Sequence, residues 1–350
     1  MIDMNDTLSL IAAVEQIKKP ASFLTELFFP TTETSPTSTV IAEWRERGRE
    51  KLAPYAIDDS KGVNVSRVGS HFRALKPPLV APRRILTQED ITRRSFGEMP
   101  VFSTMSAEER AAKIQADDLV DLLGMIQNRK EQMASEVLTT GKIEVKAYAD
   151  DGRLQKVDEV DFNWCGAVSV QPWDSSDATI FSDLQAMSED IQEYCSEVPT
   201  VLVVGRNVPG YLRKNKEIYD WLMIPNRETA TLASLQPTYE SPQVQYIGRI
   251  NALNLEVYCY SATYTGDDGQ LKSFVGENDV IMGMPGLGRQ LHAAITLIDD
   301  GGTKFQTYAT AAVPSYSVSK DDNTIALTVR SRFLLVPDIS TGWRYARVKQ

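Results

Sequence analysis

The sequence predicts an α+β fold in which a small α/β domain is inserted into a platform of one long helix and several strands. Three features of the chain predict it. A proline-free amphipathic run extends from Ser106 to Gly141, an extended segment with little apolar content occupies residues 39–94, and helices and strands alternate through most of residues 171–309. Strand patterns on both sides of that last region indicate that the chain returns to the platform.

Composition excludes several classes of protein. With 350 residues and 42% hydrophobic side chains, the chain can build two domains with substantial cores. It has no run of about 18 apolar residues, and acidic side chains stand near its start. We therefore expect neither a membrane span nor a signal peptide. The scattered cysteines, Cys165, Cys195 and Cys259, are typical of reduced thiols in a cytoplasm.

Charge is distributed unevenly along the chain. The net charge of −10 argues against an ordinary nucleic-acid-binding domain, which normally carries a basic excess. Residues 41–100 carry 12 basic and 8 acidic side chains (+4), whereas residues 101–200 carry 8 and 20 (−12). The basic segment can therefore fold onto the acidic one, either in its own chain or in an identical neighbour.

The N-terminal region combines a short helix with an aromatic cluster. Residues 6–19 predict a helix that Pro20 ends. The sequence FLTELFFP follows and concentrates apolar side chains on an otherwise thin arm. We predict that Phe23, Phe28 and Phe29 anchor this arm. Two interpretations stay open, since the cluster can pack on its own domain or clamp onto a neighbouring subunit.

The segment 39–94 is extended and lacks a core of its own. Residues 39–44 read as a strand, a charged stretch follows, and Val63, Val65 and Val68 alternate with polar residues as in a half-buried strand. Prolines after residue 76 exclude a central strand. Ordered segments of this length are uncommon and usually functional. We therefore expect this segment to need a partner surface.

The long helix is predicted to begin at Ser106 and to end at Gly141. Glu109 completes a capping box with Ser106, and a glycine after the last turn lets the chain change direction. The acids Asp117, Asp118, Asp121 and Glu131 form a candidate docking surface for the basic loop. Gly124 interrupts the helix interior at a cost of about 0.8–1.0 kcal/mol relative to alanine, so it is a candidate bend.

The rest of the chain alternates strands and helices. Residues 142–162 predict a hairpin with a turn at Asp151-Gly152. A helix over 179–196, a buried strand over 201–204 and a helix over 211–222 indicate the α/β domain. Further strands are predicted at 243–250, 255–264, 280–282 and 324–336.

No group of residues argues for catalysis. Two histidines and the lack of a CxxC pair leave little for a metal site or a triad. Gly286-Leu287-Gly288 lacks the context of a dinucleotide fingerprint and reads as a turn between strands. The segment from Gly205 to Gly210 reads as the entry to a helix. We therefore expect no catalytic, metal or cofactor-binding residue, no cofactor and no enzyme activity.

The order of parts resembles the Hong Kong 97 fold of tailed-phage capsid proteins, and the sequence resembles the phage lambda major head protein family in particular. FLTELFFP followed by threonines is similar to that family's start, and VSRVGSHFRALKPPLVAPRRILTQEDI to its returning E-loop, with Lys76-Pro77 before the spine helix. Trp173 with Ser175 and Asp177 is similar to its entry into the A-domain. FVGENDVIMG and FLLVPDI resemble its late strands.

The resemblance implies a layout and a role. It implies an N-terminal arm (1–38), an E-loop region (39–100), a P-domain (101–170 with 310–350) carrying the spine helix, and an inserted A-domain (171–309). It implies a major capsid protein that forms hexamers and pentamers of an icosahedral shell around double-stranded DNA. Implied partners are further copies, a scaffolding protein, a portal and a decoration protein, with assembly in the host cytoplasm and location in the virion.

Contacts between subunits are expected where the basic loop meets the acidic helix. Packaged DNA should be bound only weakly and non-specifically, and no membrane is involved. The expected contact residues of the E-loop and spine are Arg45, Arg47, Arg49, Tyr55, Phe72, Arg83, Arg84, Asp117, Asp118 and Asp121. Two alternatives stay open: an encapsulin-like compartment shell protein of the same fold, and a cytoplasmic α/β enzyme using the turns at Gly205 or Gly286.

Overall fold

The computed structural model describes most of the chain in separate ranges. The described residues are 11, 14, 22–45, 52–55, 64, 70–92, 107–148, 154–175, 178–195, 197–223, 239, 241, 243–298, 304–319 and 323–349. Some predictions fall outside them: the capping residue Ser106, the contact residues Arg47 and Arg49, the turn at Asp151-Gly152, most of the strand through residues 63–68, and most of the helix 6–19, of which Ile11 and Val14 are helical.

Helices differ greatly in length. The longest, α3, has 34 residues, and the next, α4, has 16. The helices are α1 (Phe23–Phe28), α2 (Gln88–Thr92), α3 (Ala107–Thr140), α4 (Ile180–Cys195), α5 (Val208–Lys214) and α6 (Lys216–Trp221). The single helix predicted over residues 211–222 is wrong, because the chain is extended at Asn215, whose side-chain oxygen accepts from the amide of Ile218 and so starts a second helix.

Strands in the first half of the chain mostly form two-stranded sheets of their own or lie at the edges of the two large sheets. They are β1 (Thr31–Ser35), β2 (Val40–Arg45), β3 (Ser70–Leu75), β4 (Leu79–Val80), β5 (Arg83–Leu86), β6 (Lys142–Tyr148), β7 (Leu154–Asp161) and β8 (Ala167–Val168). β2 pairs with β3 and β6 with β7, both antiparallel. The predicted strand at 39–44 and the pairing of the two strands in the predicted hairpin at 142–162 are confirmed, whereas the turn predicted at Asp151-Gly152 lies outside the described residues.

Strands in the second half form the centres of both large sheets. They are β9 (Val201–Val204), β10 (Leu222–Met223), β11 (Val244–Ile250), β12 (Leu255–Tyr260), β13 (Thr263–Thr265), β14 (Leu271–Ser273), β15 (Asp279–Gly283), β16 (Gly288–Ala293), β17 (Ile295–Ile298), β18 (Phe305–Tyr308), β19 (Val313–Ser319), β20 (Thr324–Pro337) and β21 (Trp343–Arg347). β13 pairs with β14 and β17 with β18 as separate hairpins.

Two large sheets organise the fold. The first has the order β1-β16-β20-β19, with β4 and β5 also paired to β20, and α3 packs on one of its faces. The second has the order β10-β11-β12-β9-β15-β21-β8. Strands cross the predicted domain boundaries, since β16 comes from the predicted A-domain range and β21 from the predicted P-domain range.

The long helix ends directly before Gly141, as the sequence predicts, and it is described from Ala107 onward. Its buried side chains recur at helical spacing and include Leu119, Leu122, Ile126 and Met133. At its end the amide of Gly141 donates to the carbonyl of Val137 at 2.8 Å, and Gly141 has a φ of +69°, which a residue with a Cβ rarely adopts.

One hydrophobic core joins both sheets to α1 and α3. Its largest fully buried side chains include Trp343, Tyr258, Phe28 and Phe333. In the part of the chain that the structure describes, no helix is long and apolar enough to span a membrane.

Candidate subunit-contact surface

The acidic part of α3 already binds one basic residue of the same chain. Strand β5 runs along β20, and its Arg84 reaches α3, where its guanidinium lies 2.5 Å from Asp118 and 3.0 Å from Asp121. The hydrogen bond with Asp118 is the main cause of a raised pKa for Arg84. Two of the predicted acids and one predicted arginine therefore meet within one chain, and their contact with a neighbouring subunit stays a prediction.

The other predicted residues on these elements point outward. Asp117 and Arg83 are exposed. Neither makes an ion pair with the described residues. Gly124 lies within α3, which continues through it without interruption.

Glu131 has a role that the sequence analysis missed. Its side chain is 2% exposed and accepts hydrogen bonds from the amides of Leu24 (2.7 Å) and Thr25 (3.0 Å) and from the Thr25 hydroxyl (2.7 Å). These amides belong to the first turn of α1, whose N-cap residue Ser22 makes no capping bond of its own. Glu131 therefore binds the N-terminal segment, and its assignment to a surface for the basic loop is corrected.

The phenylalanines of that segment pack inside their own chain. Phe23, Phe28 and Phe29 are at most 3% exposed, and Phe23 contacts the rings of Tyr258 and Tyr260. After them, β1 pairs in parallel with β16. Of the two interpretations left open, the structure shows packing on the segment's own domain.

The segment predicted as the E-loop region (39–100) is anchored at its base. Trp44 is buried, stacks on His71 with ring centroids 5.9 Å apart, and meets the ring of Phe162 edge-on at 5.5 Å. The amide of Arg45 donates to the carbonyl of Asp338 at 2.9 Å. The start of the loop is therefore part of the folded platform.

The face of the β2–β3 pair that points away from Trp44 is largely exposed, and so are residues 52–55 beyond it. Phe72 is 77% exposed, Ile41 is 69% exposed, and Leu52 and Tyr55 are almost completely so. Arg45 is exposed and lies 3.8 Å from Glu43 of its own strand. Arg47 and Arg49 lie outside the described residues. Ile41 and Phe72 project from the same face of the β2–β3 pair as Glu43 and Arg45, so two large apolar side chains stand uncovered beside charged ones in the single chain.

The two turns considered for an enzyme use their amides internally. The amide of Gly205 donates to Asp279, and that of Asn207 to Glu277, so neither is available to an anion. The amide of Gly286 donates to the carbonyl of Leu27 at 2.8 Å. Within the described residues, no group of three or more metal-ligand side chains comes together.

Comparison with known proteins identifies the family. Residues 6–344 match the family model described as phage major capsid protein E. A crystal structure of a protein assigned as a prophage capsid protein of Escherichia coli CFT073 superposes with a TM-score of 0.70 at 16% identity, over 98% of this chain and 99% of that one.

A phage-related protein of Bordetella bronchiseptica RB50 superposes with a TM-score of 0.54 at 12% identity, over 97% of this chain and 96% of that one. At these identities the superpositions show the fold. No curated protein sequence matches the chain. Because the family model covers nearly every residue, the chain belongs to the phage major capsid protein E family.

Proposed function

We propose that this capsid protein builds an icosahedral shell of hexamers and pentamers around double-stranded DNA, with the E-loop region of each subunit lying on its neighbour. One observation carries the proposal. A loop whose base is fixed by Trp44 presents Ile41, Tyr55 and Phe72 to solvent, and burying such side chains contributes about 1.5–3 kcal/mol each. Their burial between subunits would supply the energy that exposed ion pairs lack.

Charged residues set the register of this contact in the proposal. Exposed ion pairs contribute about 0–1 kcal/mol each, so Arg45, Arg47, Arg49 and Arg83 act collectively and steer assembly. Arg84, Asp118 and Asp121 support the contact indirectly, because their pairing within the chain attaches β5 to the spine helix.

Deletion of residues 45–65 tests the proposal. The variant should remain soluble and keep its far-ultraviolet circular dichroism, because Trp44 and His71 lie outside the deletion and β2 loses only its last residue, Arg45. It should form no shells, tubes or rings in negative-stain electron microscopy. The parent protein, expressed and purified in parallel, is the control. Normal shells from the deletion variant would refute the role of the loop.

The proposal includes partners and location. A scaffolding protein, a portal and a decoration protein would act with the shell, which assembles in the host cytoplasm. DNA would be held weakly and without sequence preference, because an acidic chain repels a polyanion and tight binding would hinder packaging. Nanomolar DNA binding by isolated capsomers at physiological salt would contradict this.

The domain roles are part of the same proposal: arm (1–38), E-loop region (39–100), P-domain (101–170 with 310–350) and A-domain (171–309). We assign the chain no catalytic role, which agrees with the internal use of the amides at Gly205 and Gly286. Family membership favours the phage shell over the encapsulin-like compartment and over the enzyme.

A further inference from the structure

Three arginines lie on one face of the first sheet. Strand register places Arg83 of β5 opposite Thr328 of β20, and side chains alternate along β20, so Thr328, Arg330 and Arg332 share that face. Residues two apart on a strand are roughly 7 Å apart, so Arg83, Arg330 and Arg332 occupy a short row of positions on this face. Arg84, the neighbour of Arg83, points through the other face to α3.

This row has no acidic partner within the described residues. Arg330 donates to the hydroxyl of Ser315, and Arg332 donates to the carbonyl of Pro77 at 3.3 Å. Neither they nor Arg83 forms an ion pair there. Burial and the neighbouring Arg83 lower the pKa of Arg330. Like charges side by side on a partly covered surface are unfavourable until an anion joins them.

The row lies on the same face as the base of the E-loop region. Arg289 of β16 lies opposite Val336 of β20, which is on the same face as Arg332, so Arg289 and Arg332 share one face of the sheet. Arg289 donates to the carbonyl of Glu43 in β2 at 3.2 Å. β2 therefore packs on this face, beside the arginines, and the row is continuous with the surface proposed to meet a neighbouring subunit.

We infer that Arg83, Arg330 and Arg332 form a binding site for carboxylates of a second copy of this chain. The inference rests on the proposed self-assembly. Two observations favour a second copy over nucleic acid: the chain has 47 acidic against 37 basic side chains, so every neighbour offers carboxylates, and the row adjoins the E-loop base. The Ser315 hydroxyl, which accepts from Arg330 and donates to the carbonyl of Thr328 at 3.4 Å, helps to hold the Arg330 side chain in the row.

The first test compares assembly of three proteins: the parent, the double variant Arg83→Gln/Arg330→Gln, and Arg213→Gln as a matched control. Arg213 is exposed on α5 and has no ion pair with the described residues. The double variant should need about tenfold more protein to form shells or rings, with unchanged urea unfolding of the dissociated chain. The control should assemble like the parent.

The second test identifies the partner group. Arg83→Lys and Arg330→Lys are assembled as mixtures of ¹⁴N- and ¹⁵N-labelled subunits and treated with a carbodiimide, which joins an amine to a carboxylate in contact. The inference predicts that mass spectrometry finds mixed-isotope crosslinked peptides in which the amine introduced at position 83 or 330 is joined to an Asp or Glu of another copy.

Several outcomes would overturn the inference. Parent-like assembly of the double variant, or crosslinks within single copies only, would do so. Unchanged assembly with loss of bound DNA would assign the row to phosphates instead. If the parent protein forms no shells, tubes or rings, unaided self-assembly is refuted, and this inference with it. The parent sample by itself separates that result from a defect confined to the double variant.

Discussion

The N-terminal segment and the E-loop region differ in how far their apolar side chains are buried in their own chain. For both of these extended segments, the sequence allows a contact with a neighbouring subunit. The segment at residues 22–35 buries Phe23, Phe28 and Phe29 in its own chain and adds a strand to the first sheet. The loop leaves Phe72 77% exposed. The difference indicates that an extension packs into its own core when that core offers both an apolar pocket for its side chains and a strand with which its backbone can pair.

Replacing Phe28 by alanine should have the largest effect on the stability of the single chain. Phe28 is fully buried, so Phe28→Ala should lower the free energy of unfolding by about 3–5 kcal/mol, through lost burial and a residual cavity. Urea unfolding of unassembled protein, followed by tryptophan fluorescence, measures it.

Phe72→Ala is the matched control for this comparison. Because Phe72 is largely exposed, its replacement should change the free energy of unfolding by less than about 0.5 kcal/mol while reducing the yield of shells. Equal destabilisation by the two substitutions would break the distinction between a core segment and a contact loop.

Glu131→Ala should have an intermediate effect. It leaves the amides of Leu24 and Thr25 without their acceptor, which should cost about 2–3 kcal/mol. Glu131→Gln keeps an acceptor oxygen and should cost less. Urea unfolding of both variants measures this, and a change below about 0.5 kcal/mol for Glu131→Ala would show that the segment does not depend on this carboxylate.

The same residue predicts a pH dependence. Burial raises the pKa of Glu131 above its usual 4.5, more than the hydrogen bonds from Thr25 and Leu24 lower it. For a raised pKa, the stabilising contribution is complete below the unfolded value and is lost as the pH rises through the folded value. The parent should therefore gain stability relative to Glu131→Gln as the pH falls from 7 towards 4.5, and an opposite slope would contradict the assignment.

Gly124→Ala should have the smallest effect on stability, and of opposite sign. Gly124 lies on α3 between Asp121, which binds Arg84 beside the loop, and Glu131, which binds the N-terminal segment. The substitution should stabilise the helix by up to about 1 kcal/mol. If α3 bends there during shell expansion, the variant should expand more slowly in a light-scattering assay, and unchanged expansion would remove the bend.

Much of the fold was predictable because local signals agree with the final structure. The long helix has a proline-free apolar stripe and a glycine that takes a positive φ, so its end is encoded within a few residues. The strand β2 and the hairpin β6–β7 follow alternation that only one pairing satisfies. The order of the parts along the chain, from the N-terminal arm through the extended segment and the long helix to the α/β domain, predicted a capsid protein, and the family match confirms it.

The role of Glu131 was missed because its partners are backbone amides from a distant part of the chain, which no side-chain pattern reveals. A signal did exist: Glu131 lies three residues before Ala134 and seven before Leu138, and therefore on the buried stripe of α3. Likewise, charge totals predicted that a basic loop meets an acidic helix, but only the register of β5 on β20 shows that Arg84 does so within one chain.

The parallel pairing of β1 with β16 also constrains the order in which the chain can fold. Glu33 and Arg289, which form an ion pair across these strands, are 256 residues apart in sequence. During synthesis the aromatic segment before β1 emerges early, yet its place in the sheet exists only after β16 has been made. Until then its phenylalanines lack their final cover, and such exposed apolar segments promote aggregation of nascent chains. The strand pairing that completes the attachment of the segment therefore becomes available only late in synthesis, well after the contact with Glu131.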